Sequence, residues 1–126
     1  MAESLFQLLG TYSAEPLVPA PSFAPAVGTS FDTRVQLSKK HVDELSLSAD
    51  PFQAVSLGGL SGVNVLIVSI PGGRATLRVT SAAGSQQLLP VEELLILCSF
   101  TVPLTAIDVQ RVAGVATEVQ VFLGQR

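Results

Sequence analysis

The single histidine, His41, stands two residues before Asp43, a pairing that could join a general base to the carboxylate that orients it. On a strand, residues i and i+2 share a face without giving that geometry, and no serine is marked out as the nucleophile. His41 is therefore expected on a solvated strand face. Glu92 and Glu93 are adjacent, so a strand would turn them to opposite faces and they could not work as paired acid and base; a solvated strand entry suits them better. A hydrolase elbow needs Gly-x-Ser-x-Gly, and the nearest stretch, Gly59-Leu60-Ser61-Gly62-Val63, has valine where the last glycine belongs. It reads as a turn. Gly58, Gly59 and Gly62 could turn backbone amides toward an anion, but no P-loop Lys-Ser/Thr follows and no helix begins there. One histidine and one cysteine do not supply the ligands of a zinc or cupin-like centre. Cys98 follows the run Leu94-Leu95-Ile96-Leu97 and is expected as a small buried core residue. Phe52, Phe100 and Phe122 are isolated aromatics suited to core or interface packing. The expectation is a non-enzymatic protein with no catalytic, metal-binding or cofactor-binding residues, and with no cofactor.

Composition narrows the class further. The chain has 126 residues, with 7 Lys+Arg, 10 Asp+Glu and a net charge of −3, and only 13% of its residues are charged against 48% apolar. An ordinary soluble domain carries about 25% charged residues, so much of the surface is expected to meet other protein. Arg34, Lys39, Lys40, Arg74, Arg78, Arg111 and Arg126 are scattered, not clustered into a basic stripe, which speaks against a nucleic-acid partner. Residues 1–10 contain Glu3 and no Lys or Arg, unlike the basic start of a secretory signal. The longest apolar runs, Val65–Val68 and Leu94–Cys98, fall far short of the roughly 20 residues of a membrane span, so no membrane is expected. With no Trp and one Tyr, Tyr12, the chain lacks the platforms on which sugars usually stack.

The elements that must carry any function divide at about residue 30. Pro16, Pro19, Pro21 and Pro25 crowd the stretch from Thr11 to Ser30, removing backbone donors and favouring extended conformation. Residues 1–30 are expected as an extended N-terminal arm, with Ser4–Leu9 as a helical turn or a strand that docks on a partner. Residues 31–126 read as short strands between turns. Alternation is plainest at Arg74–Thr80, where Ala75, Leu77 and Val79 oppose Arg74, Thr76, Arg78 and Thr80, and it recurs at Ile107, Val109 and Arg111 and at Val119, Val121 and Leu123. Val35 and Leu37, then Val42, Leu45 and Leu47, then Val55 and Leu57 give weaker versions. Breakers fall at Asp50-Pro51, Leu57–Gly62, Pro71-Gly72-Gly73, Ala82–Ser85, Pro103 and Ala113-Gly114. That spacing predicts an all-β fold: an antiparallel, jelly-roll-like β-sandwich of eight or nine strands.

Two runs, Val63–Ile70 and Leu94–Cys98, are apolar on both faces, although each strand of a sandwich has one inner face. The second face must be covered by the arm, by a neighbouring subunit, or by both. The interface residues predicted are Leu5, Phe6, Leu8, Leu9, Leu17, Val18 and Phe23 from the arm, with Val63, Val65 and Ile67 from the sandwich.

The stretch VSLGGLSGVNVLIVSIPGGRATLRVTS (Val55–Ser81), followed by PLTAIDVQRVAGVATEVQVFLGQR (Pro103–Arg126), resembles small β-sandwich structural proteins of tailed phages, of the capsid decoration or cement type. The resemblance covers about Phe31–Gly124. It implies a virion protein without an active site, made in the host cytoplasm, frequently trimeric, and seated on the outside of an icosahedral shell where it contacts the major capsid protein. Two other functions fit the same sequence: a phage tail, baseplate or fibre-attachment adaptor, which sixfold or twelvefold rings would mark, and a module binding a glycan or host-surface ligand, which would need a polar or aromatic cleft.

Overall fold

A computed structural model describes residues 4–14, 27–98 and 101–126, and among them every regular element is a β-strand. The strands are β1 (Ser4–Ala14), β2 (Val27–Leu37), β3 (Lys39–Leu47), β4 (Gln53–Ala54), β5 (Val65–Ser81), β6 (Gln86–Cys98), β7 (Leu104–Arg111) and β8 (Thr117–Gln125). All pairings are antiparallel.

The 17-residue strand β5 organises the body. One of its edges carries β6 from Val65 to Thr80. The other carries β8 along Val65–Ser69 and then β7 along Ala75–Ser81. Beyond these lie β3 on β8 and the two-residue β4 on β7, giving the order β3-β8-β5-β7-β4 with β6 alongside β5. The partner changes where the register against β6 shifts, between Ile70 and Arg74. Pro71-Gly72-Gly73, predicted as a break between strands, is therefore a bulge within one strand. A bulge bends a strand and increases its twist, and Gly72 supplies a positive φ of 68° there. Across the pair, Glu93 also has φ 64°. The bend curls the six-stranded sheet nearly closed around one core, so the fold is all-β and antiparallel, as expected, and compatible with a β-sandwich of about eight strands.

In this core, period-two alternation sorts the side chains. Leu66, Val68 and Ile70 from the first half of β5, and Ala75, Leu77 and Val79 from the second, meet Leu45 and Leu47 of β3, Ile107 and Val109 of β7, and Val119, Val121 and Leu123 of β8. Thr76, Arg78 and Thr80 turn outward, where Arg78 reaches Asp108 at 3.2 Å and lies 4.2 Å from the ring centre of Phe52. The Leu57–Gly62 breaker is a loop pinned by buried Leu60, whose amide bonds the Leu57 carbonyl at 3.1 Å. Only Gln53–Ala54 of the segment around Val55 and Leu57 forms a strand.

The N-terminal region contributes a hairpin. Strand β1 pairs β2 from Ser4↔Leu37 to Ala14↔Val27, so the extended chain at both ends of the proline-rich stretch is a two-stranded ribbon. Its strands of 11 residues span roughly 35 Å. At its base Leu37 and Val35 pack on Val65, together with Phe6 and Phe122, and the Phe6 and Phe122 rings stack with centroids 5.6 Å apart. Gly124 makes room for this seat, because a Cβ there would come within 2.9 Å of Leu37.

Candidate functional site

The residues first considered for chemistry are occupied in holding loops. Asp43 accepts a hydrogen bond from the Ser56 amide at 2.9 Å, so its carboxylate fixes the loop after β4. His41, expected on a solvated face, is half-buried, with Gly58 packed against its ring. The correction follows from the turn at Gly58 and Gly59, both at positive φ, which lays the loop over β3. Gly58→Ala would place its Cβ among the His41 ring atoms and would force a left-handed conformation worth about 1–2 kcal/mol on an L-residue. We expect a loss of at least about that size in urea denaturation. Ser61 bonds Gln125 Oε1 through its amide at 2.9 Å and its hydroxyl at 3.3 Å, which ties the turn to β8. Glu92 and Glu93 lie exposed at the bulge, opposite Arg74 and Ile70. Among the described residues no group of three or more His, Cys, Asp or Glu side chains could hold a metal ion.

A carboxylate clasp joins two further loops. Asp50 Oδ1 accepts from the Gly114 amide at 3.0 Å and from Arg111 Nε at 3.1 Å. The Gly114 amide, with help from Arg111 and against some desolvation, holds the Asp50 carboxyl below its ordinary value. A depressed folded-state pKa contributes stability above the unfolded value and loses it as pH falls through the folded value. The Gly114 amide resonance is expected to titrate below the usual aspartate range, and Asp50→Asn to abolish that titration while leaving the body folded.

The strongest candidate for function is the outward face of the β3-β8-β5-β6 layer. Register aligns Val42, Phe122, Ile67 and Ile96 in one row across four strands, a span of about 14 Å. The flanking rows are Lys40, Gly124, Val65 and Cys98 on one side and Glu44, Gln120, Ser69 and Leu94 on the other. The hairpin base covers the middle of this face, over Val65 and Phe122. On either side of that cover Val42 remains 60% exposed and Leu94 57%.

The predicted interface residues separate accordingly. Phe6 and Leu8 are half-buried and Leu5 and Leu9 exposed, while Ile67 is half-buried within the row. Val63 and Val65 are sealed inside the chain, a correction to their reading as contacts for another subunit. Val63 faces the core and pairs with Leu104, and Val65 lies beneath the chain's own Leu37. Leu17, Val18 and Phe23 lie outside the described residues, as does Phe100. Cys98, expected in the core, is exposed, because it lies on the outward face of the outermost strand β6; the partial burial it keeps pushes the thiol pKa up. Sequence reasoning missed Val42 as part of the row. It shares an apolar run with Leu45 and Leu47, but its even number sets it on the opposite face.

These features define an all-β protein with an apolar outer face and an N-terminal hairpin seated on it. Compared with protein-family models, curated proteins and solved structures, the chain matches none.

Proposed function

We propose that the chain is a non-enzymatic virion structural protein, a decoration or cement protein on the outside of a tailed-phage capsid, acting as a homotrimer against the major capsid protein. The observation that carries the assembly part is the outer face, left uncovered at Val42 in the apolar row and at Leu94 in the row beside it, on both sides of the hairpin base. A monomer gains nothing from leaving such a row in water, whereas burial against protein returns about 25 cal/mol per Å². The resemblance of Phe31–Gly124 to phage decoration proteins supplies the capsid part. Reinforcing a shell asks for many copies and contact area and for no reaction, which suits a chain with 13% charged residues.

Native mass by light scattering across a dilution series tests the assembly, and immunogold labelling of intact virions tests the location. A concentration-resistant trimer and label over the whole head are the expected results. Label confined to the tail, with sixfold or twelvefold rings, would overturn the capsid reading in favour of an adaptor.

A further inference from the structure

Strand β6 pairs with β5 alone, and strand β1 pairs with β2 alone, so among the described residues each keeps one edge of backbone donors and acceptors without a strand. Long open edges are templates for another chain. Natural sheets commonly blunt them with charge, yet the end of β6 is Leu94-Leu95-Ile96-Leu97-Cys98, and β1 carries Leu5, Phe6, Leu8 and Leu9. Both edges also present side chains at the strand period. Leu94 and Cys98 stand exposed on the outward face of β6, while Leu5 and Leu9, 59% and 70% exposed, share the face of β1 turned away from Phe6. The four-residue spacing is the same on both strands.

We infer that β1 of one copy adds to the open edge of β6 in a second copy of this chain, laying Leu5 and Leu9 beside Leu94 and Cys98. Main-chain hydrogen bonds supply the pairing and the alternate apolar side chains the selectivity, as in β-strand addition generally. The hairpin is already compatible with this sheet, because its base rests on the same outward face through Phe6 and Phe122. The added β1 and β2 would continue that layer past β6, where Leu94 is 57% exposed.

The donor edge and the acceptor edge are different surfaces, so in a closed assembly each copy gives one and receives one. Three copies giving in turn close a ring, the arrangement of the proposed trimer, whereas two copies exchanging β1 reciprocally make a two-fold dimer; light scattering on the parent separates the two. The inference rests on the self-association part of the proposed function and is independent of the capsid part.

The test uses two full-length variants altered only at exposed positions, a donor-blocked Leu5→Lys/Leu9→Lys and an acceptor-blocked Leu94→Lys/Cys98→Lys. Each is expected to be monomeric by light scattering at concentrations where the parent is a ring, with unchanged circular dichroism. Mixed in equal amounts they are expected to form a 1:1 dimer and nothing larger, since one intact donor edge meets one intact acceptor edge. The unmodified chain gives an independent readout: alkylation of Cys98 should slow by about tenfold on assembly, following its loss of exposure. A donor-blocked variant that still assembles like the parent would overturn the inference and leave the trimer reading standing. A parent that stays monomeric at all concentrations would overturn both, while the virion labelling would still judge the location.

Discussion

Leu66→Ala is expected to remove about 2–5 kcal/mol of stability, the usual range for truncating a fully buried leucine. Leu66 is 0% exposed, and its register partners are Leu97 on β6 and Leu123 on β8. It therefore sits in the middle of three hydrogen-bonded strands with both flanking side chains turned to the same core. Backbone pairing on each side holds β5 in place, so the cavity cannot collapse by moving the strand. Domains of this size are stable by about 5–15 kcal/mol, and the loss should lower the melting temperature by roughly 10–20 °C. Thermal unfolding followed by circular dichroism measures it. A fall of only a degree or two would mean that this part of the core repacks freely.

Leu37→Asp is expected to act on a different part of the molecule. Leu37 is 1% exposed and rests on Val65 with Val35, Phe6 and Phe122 nearby. An ionised carboxylate there would have no partner, a burden of several kcal/mol. Docking the base gives back about 1.5–3 kcal/mol for each apolar side chain fully buried, so the charge outweighs much of what the seat contributes. The hairpin should come away while the sandwich stays folded. Hydrogen exchange separates these outcomes: the Ser38 amide, bonded to the Gln125 carbonyl at 2.8 Å, should lose protection, while the amides of β5 and β7 keep theirs. Global unfolding instead would show that the hairpin base is an integral part of the core. The assembly proposed above should weaken with the hairpin.

The sequence made the fold legible where one strand face is wet. Ala75-Leu77-Val79, Ile107-Val109 and Val119-Val121-Leu123 alternate cleanly, and every one of these residues is buried. It was less informative where a decision depends on distant partners. Pro71-Gly72-Gly73 carries the chemistry of a turn, and only the continued pairing with β6 on one side of it makes it a bulge. The proline-rich stretch announced extended chain, but the pairing of residues before it with residues after it depends on a contact that local composition does not encode. The candidate site was half legible for the same reason. Apolar residues on both faces of Val65–Ile70 and Leu94–Cys98 indicated that something covers the second face, and Leu37 and Phe6 cover part of it. Which residues stay uncovered was set by parity across four strands, and so Val42 and Cys98 were placed on the wrong side.

The position of β8 bears on how the chain reaches this state. It follows β7 in sequence, yet it lies between β3 and β5, joining Leu45 to Val119 and Leu66 to Leu123 across long stretches of chain. Neighbouring strands such as β5 and β6, linked by the short turn at Ala82–Ser85, can zip locally as they emerge during synthesis. The layer that contains β3 cannot close until β8 has left the ribosome, because among the described residues β3 pairs with β8 alone. Such non-local pairings make folding slow, and for that interval Leu66, Val68 and their neighbours stand open to other nascent chains. Cells making this protein in quantity would depend on chaperones most until β8 has been synthesised.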